Sequence, residues 1–378
     1  MTGLEVTFRL LVFPLDIDRA REMITFAGSL GAEVIGASSI MKTVEARQYS
    51  VTSFHYLPFV TESAFEAAFQ ALLETERITH VYTPHGVIWS HLMRCRQQQP
   101  EFYQFHLCQP SPYEEDWLRL LPSQAWADQV MADNFVEALH CPGKVERREP
   151  LRWGQLVSLH QQFTHIPGQS DDRKLAALTH IARLLPLGNL VEVGSFQGRS
   201  AFAIGWLAKH YSVGNLVCVD PWDNSKVKDQ GEQAQIVNQE LLSGRDILDL
   251  EQVFYSFIGA VSLLNNVGYI RETSEVAVGV YKNAVSQGFL PSNELNALPL
   301  TDQISMLHID GNHRYDFVRQ DIELWLPLVM NGGWVLLDDY VWAFGDGPRR
   351  AGDELLATGN FDVAFTASDT LFLRKGNA

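Results

Sequence analysis

Leu190-Val-Glu-Val-Gly-Ser-Phe-Gln-Gly-Arg-Ser200 carries a short apolar strand through Glu192 into a glycine-rich turn, Gly194 to Gly198, that opens the helical pattern SAFAIGWLAKHY. Glycine lets a backbone pass close to a ligand with no Cβ in the way, and a new helix presents unpaired N–H groups at its start. The next apolar run, Asn215 to Val219, ends in Asp220 within VCVDPWD, a carboxylate placed to grip a ribose diol. Strand, glycine turn, helix, strand and acid together predict a nucleoside-binding α/β domain. From residue 174 onward the order is helix, strand (190–193), helix (199–210), strand (215–219), a long insertion, strand (268–271) and helix (274–287). A strand (304–309), a helix (315–326) and a strand (333–338) follow, and two short strands, Phe361–Thr366 and Thr370–Arg374, close the chain as a hairpin.

A second stretch, ISMLHIDGNHRYDFVRQDIELWLPLVMNGGWVLLDDYVW, brings two further strands to acidic ends. Ile304–Ile309 ends at Asp310, and Trp334–Leu337 ends at Asp338 and Asp339. In a parallel sheet these ends share an edge with the Gly194 turn, because ligands collect at the carboxyl ends of the strands. Like charges gathered there need compensation. A hard divalent cation would supply it, and oxygen ligands suit Mg²⁺, with Mn²⁺ or Ca²⁺ in its place, better than Zn²⁺.

LVEVGSFQGRSAF with VCVDPWD, followed by HIDGNHRYD with LLDDY, resembles class I S-adenosylmethionine-dependent methyltransferases of the metal-dependent O-methyltransferase kind. The likeness is greatest to the enzymes acting on macrolide deoxysugars, and it covers roughly residues 170–378. It implies a seven-stranded Rossmann-like α/β domain that binds S-adenosylmethionine. It further implies that Glu192, Gly194, Ser195 and Gly198 cradle the methionine part, that Asp220 holds the ribose hydroxyls, and that Ser274 lies on the adenine side. By the same resemblance Asp310, Asp338 and Asp339 hold Mg²⁺ or Mn²⁺, and His313 is the general base, with Asp310 beside it in the catalytic set. Where some relatives read Asp-Gly-Asp, this chain has Asp310-Gly311-Asn312. The implied reaction is an in-line transfer of an activated methyl group to a hydroxyl of a sugar or glycosylated small molecule, with His313 taking the proton.

The insertion after Asp220 holds two helical patterns, near 231–243 and 250–264, at the edge where loops often form lids. The loop after Asp339 adds Tyr340, Trp342, Arg349 and Arg350 as candidates to face an acceptor. Each motif has a structural alternative. Strand-end acids cap helices and solvate surfaces, the insertion helices can simply pack, and the remaining histidines, His308 among them, read as structural.

The first half alternates strand and helix from Val6 to Gln97, a small α/β layer with a parallel sheet. Its first strand leaves through Pro14-Leu15-Asp16, with no glycine to admit a phosphate. It faintly resembles the Rossmann-like domain that precedes ATP-grasp modules, which implies a fold and nothing more. Residues 101–165 read as helical and broken by prolines, so the expected organisation is an auxiliary α/β domain with a helical extension (1–155) and a methyltransferase domain (156–378).

A net charge of −16 with no basic block argues against nucleic acid as a partner. The four cysteines form no CxxC pair, which suggests reduced thiols in a cytoplasmic protein. No run of about 18 apolar residues suggests a membrane span, and a homo-oligomer is compatible with everything above. Two other functions compete with the enzyme: a non-catalytic cofactor-binding scaffold of a biosynthetic assembly, and an NAD-dependent oxidoreductase using Asp220. The acidic set with His313 speaks against the first, and Glu192 with the closing hairpin against the second.

Overall fold

The structure is a computed structural model describing residues 8–40, 49–143, 145–227, 249–341, 343 and 345–376. The chain forms two compact units, Met1–Pro122 and Ser123–Ala378.

In the first unit β1 (Arg9–Val12), α1 (Asp18–Ser29), β2 (Glu33–Ser38), β3 (Ser53–Tyr56), α2 (Phe65–Thr75), β4 (His80–Tyr82), α3 (Gly86–Gln98) and β5 (His106–Leu107) follow in order. The strands are parallel and lie in the order β3-β2-β1-β4-β5. Apolar side chains of alternating direction bury on both faces, Leu11, Ile35 and Val81 on one and Leu10, Val12 and Val34 on the other. This is why the strands read as nearly continuous apolar runs. After β1 the loop closes on itself. Leu15 is fully buried, its N–H donates to the Ala37 carbonyl at 2.8 Å, and Asp16 accepts the Ser38 hydroxyl at 2.8 Å. The Leu15 side chain packs on Gly36 of β2, within the core on the α1 side of the sheet.

α4 (Pro112–Ala132) contains Pro122, where the chain divides, and α5 (Phe135–Ala138), α6 (Trp153–His165) and α7 (Asp172–Ala182) belong to the second unit. The sequence expectation assigned residues up to 155 to the first domain. Instead Trp126, Ala127 and Val136 share a core with Leu156, Phe163 and Leu178, and the Trp126 indole donates to the Asp172 carbonyl at 3.0 Å. Proline-broken amphipathic helices announce an apolar face without saying which sheet it will cover.

The rest of the second unit runs β6 (Asn189–Val193), α8 (Arg199–His210), β7 (Leu216–Val219), α9 (Leu250–Val261), β8 (Val267–Ile270), α10 (Ser274–Gln287), β9 (Phe289–Leu290) and β10 (Leu298–Pro299). It continues with β11 (Ile304–Ile309), α11 (Tyr315–Trp325), β12 (Val329–Leu337), α12 (Gly347–Ala357), β13 (Phe361–Ala367) and β14 (Thr370–Lys375). The seven-stranded sheet has the order β13-β14-β12-β11-β6-β7-β8, with β14 antiparallel to both neighbours. Helices α6 to α9 cover one face and α10 to α12 the other. The order reverses between β6 and β11, and that crevice is where an open α/β sheet binds ligands. Of the two expected insertion helices, the second is α9, and the one near 231–243 lies outside the described residues.

Candidate active site

The glycine turn after β6 is held in place from three sides. Gly194 has φ +89°, and a Cβ there would lie 2.0 Å from the Asp310 carbonyl oxygen, so only glycine lets β6 and β11 close together at this edge. Its N–H donates to the Val219 carbonyl at 2.8 Å. Asp220, at the end of β7, reaches back under the turn: Oδ2 accepts the Phe196 N–H and Oδ1 the Trp222 N–H, each at 3.0 Å. Burial raises the Asp220 pKa above the ordinary carboxylate range, although those N–H groups favour its charged form.

Gly198, at φ +90°, caps α8 without a side-chain acceptor, so the N–H groups of the first turn have no side-chain partner there. The buried Ser195 hydroxyl also has no hydrogen-bond partner. Uncapped helix N–H groups beside the glycine turn suit a polar, carboxylate-bearing ligand. Arg199 fixes the rim: its guanidinium donates to the Ile166 carbonyl at 2.6 Å and the Ser170 carbonyl at 3.0 Å, drawing the 166–170 loop onto the start of α8. Ser274, at the start of α10, accepts the Trp325 indole N–H at 2.9 Å, which leaves its hydroxyl hydrogen to point elsewhere.

Glu192 does not face that opening. It is fully buried, and His308 Nδ1 lies 3.0 Å from its Oε1. Strand pairing explains the contact. Glu192 stands opposite His308 on β11 and Cys218 on β7, and alternation puts Asp310 and Asp338 on the same face two residues beyond the paired positions. The face also receives Lys174 from α7, and here the expected cation site meets an unexpected occupant. Lys174 is 1% exposed, with Nζ 2.5 Å from Asp338 Oδ2 and 3.7 Å from Asp310 Oδ2. The other oxygen of Asp338 accepts the hydroxyl of buried Thr370.

His308, Asp310 and Asp338 bring ligand atoms within 4.8 Å of one another, a grouping that would ordinarily suit a cation. Yet Asp338 already holds a hydrogen donor on each oxygen, and a buried ammonium stands beside Asp310. Burial raises the Asp310 pKa well above the usual range, with Asp338 adding to the push against Lys174. Asp338 goes the other way: against burial, Lys174 and His308 hold it below that range. The expected third ligand turns aside. Asp339, in the left-handed region at φ +56°, places Oδ2 2.9 Å from His313 Nε2. A Mg²⁺ held by Asp310, Asp338 and Asp339 together does not fit this arrangement. It would have to share Asp338 with an ammonium and take Asp339 from its histidine.

His313 and Asp339 are both partly exposed at the sheet edge, where the sequence placed them. Gly347, opening α12, packs directly on the His313 backbone: a Cβ would lie 2.2 Å from the His313 carbonyl oxygen. Asn312 accepts the Arg314 N–H at 2.9 Å, so that oxygen shapes the turn. Of the acceptor-side candidates, Arg350 lies over the Tyr315 ring at 4.0 Å and Tyr340 donates to Asp353 at 2.7 Å, while Trp342 lies outside the described residues. Sequence reading missed Lys174 and Thr370, and took His308 as merely structural. A lysine three positions past the Asp171 cap looks like an ordinary polar position of a helix until its face is known.

The strand order, the crevice at the glycine turn and the single antiparallel strand define a class I methyltransferase fold. Residues 191–340, within the second unit, match the family model described as "Methyltransferase domain". Among solved structures, the O-methyltransferase NovP is similar at 18% identity, over 55% of this chain and 81% of that chain, with a TM-score of 0.38. CalS11, a calicheamicin methyltransferase, is similar at 14% identity over 67% and 92%, TM-score 0.40. The MycE methyltransferase of the mycinamycin pathway, in complex with Mg, SAH and mycinamycin VI, is similar at 14% identity, TM-score 0.35; the match covers 58% of this chain and 54% of that one. No curated protein matches. Among the described residues, no helix is long and apolar enough to cross a membrane.

Proposed function

We propose that this chain transfers the methyl group of S-adenosylmethionine to a hydroxyl of a sugar or glycosylated small molecule. The observation that carries the reading is the glycine turn over Asp220, within the stretch matching the methyltransferase model and at the same sheet edge as the His313–Asp339 pair. When bound, the sulfonium cofactor supplies an activated methyl group. The residues have then to orient an acceptor oxygen and remove its proton. The ribose diol would lie on Asp220. The methionine carboxylate would lie on the N–H groups opening α8, with the Ser195 hydroxyl beside it. His313 takes the acceptor proton, and Asp339, 2.9 Å away, orients the ring and stabilises the imidazolium that forms. The sugar acceptor rests on the likeness of HIDGNHRYD to the macrolide-sugar enzymes, while Arg350 and Tyr315 offer a nearby aromatic and cationic wall. Metal assistance is not part of this proposal, given how Asp338 and Asp339 are engaged.

The test is calorimetric binding of S-adenosylhomocysteine and of NAD, followed by a screen of glycosylated acceptors with labelled cofactor. Binding of NAD in place of S-adenosylhomocysteine would sink the proposal. With a working acceptor, His313→Ala should lower kcat by about 10²–10⁴ and leave cofactor affinity unchanged. An unchanged kcat would remove His313 from its role.

A further inference from the structure

We propose that Lys174 is the built-in cation of this site, standing where a divalent ion would otherwise be held, and that methyl transfer in this chain needs no metal. The second half rests on the methyltransferase reading, while the first stands on geometry alone. Strand-end carboxylates Asp310 and Asp338 lie on one face of adjacent strands, and two such charges together need a counter-charge. Nζ of Lys174 supplies it, 2.5 Å from one and 3.7 Å from the other, on a side chain that is 1% exposed. An ammonium is buried this deeply only where partners repay its lost hydration. α7 delivers it because Asp171 caps the helix, accepting the N–H groups of Arg173 and Lys174 at 3.0 and 2.9 Å. Asp171 is itself tied to the hairpin turn through the Ser368 hydroxyl at 2.7 Å. Thr370, opening β14, holds the other oxygen of Asp338. Lysine, helix cap and hairpin thus form one clamp around Asp338.

The arrangement also assigns duties. Asp338 is a fixed inner anchor and Lys174 a positioning residue. Asp310 and the His313–Asp339 pair are the groups left facing an acceptor. Chelation of two acceptor hydroxyls by a metal is replaced by contacts to side chains, so acceptors lacking a neighbouring pair of hydroxyls should be tolerated.

The test uses the full chain, stripped with EDTA, and reads metal binding apart from activity. Titration with Mn²⁺ to about 1 mM, followed by the electron paramagnetic resonance of the free ion and by Tm, should show no stoichiometric site and no shift in the wild type. Lys174→Met unmasks the carboxylates: it should bind one Mn²⁺ and gain Tm on binding, and Lys174→Met with Asp338→Asn should lose both. EDTA should leave turnover of any accepted substrate unchanged. Tight binding of one Mn²⁺ by the wild type, abolished in Asp338→Asn, would overturn the proposal. So would a folded Lys174→Met that gains no Mn²⁺ site. Should Lys174→Met fail to fold, the wild-type titration decides alone. S-adenosylhomocysteine calorimetry on the same samples keeps failure of the methyltransferase reading distinct.

Discussion

The two units of this chain are built on the same device and use it in opposite ways. Each has a sheet, all parallel in one and parallel except at β14 in the other, whose order reverses at its first strand, β1 and β6 respectively. After β1 the chain turns through Pro14-Leu15-Asp16, and the fully buried Leu15 joins the core against β2. After β6 it turns through Gly194 to Gly198, both at positive φ, and the start of α8 follows with no side-chain cap. Topology offers a crevice in both; the identity of four or five loop residues decides whether it becomes core or site.

That contrast breaks most easily at the glycines. Gly194→Ala would drive a Cβ against the Asp310 backbone at a positive φ, and should cost about 4 kcal/mol by urea denaturation, with loss of cofactor binding. Gly36→Ala, in the first unit, meets only the mobile end of Leu15, 3.0 Å away, and should cost about 1 kcal/mol. Equal costs would mean that the edge near β6 is no more constrained than ordinary core. Truncating Leu15 is the converse experiment. Leu15→Ala should cost about 3 kcal/mol as a cavity, and calorimetry should detect no new nucleotide binding to the first unit. Any heat with ATP or S-adenosylhomocysteine from that unit would show that Leu15 had hidden a site.

Two smaller effects sharpen the account of the second unit. Asp220→Ala leaves the Phe196 and Trp222 N–H groups without their acceptor and removes the ribose contact. Affinity for S-adenosylhomocysteine should fall by roughly 10- to 100-fold, or about 1.4–2.8 kcal/mol, by calorimetry. The smallest effect is on pH dependence. Burial would depress the Lys174 pKa, but Asp338 and Asp310 outweigh it and the folded value is raised. Its stabilisation is therefore complete below about pH 10.4, the free-lysine value, and is lost as pH climbs through the folded value. The unfolding free energy from urea denaturation should fall by about 1 kcal/mol more in the wild type than in Lys174→Met across that alkaline limb. Parallel curves would contradict the ion pair.

Much of this was legible from residue order. α8 begins and ends where the pattern after Gly198 places it, and β11 spans Ile304–Ile309 as its apolar run suggests. The termini of β6, β7, β12 and the closing hairpin fall within a few residues of expectation. Asp220 beneath the glycine turn and His313 at the edge were likewise readable, since motif spacing brings them to the strand ends. What was not readable is where the buried charges pair. Strand alternation hints that Glu192 and His308 share a face, but only pairing register sets them opposite each other.

The sequence by itself determined a methyltransferase-type α/β domain, a glycine turn after its first strand, a turn without glycine after the first strand of the other unit, and an edge rich in carboxylates. Those follow from local rules: alternation within strands, glycine where a side chain would collide, and a carboxylate at a strand end. The tertiary structure alone decided that Lys174, more than a hundred residues before Asp310, enters the acidic cluster, and that Asp339 turns to His313. The physical reason is that charge compensation depends on distances of a few ångströms between distant parts of the chain. No local pattern encodes those distances; the packing of α7 and the closing hairpin around Asp338 does.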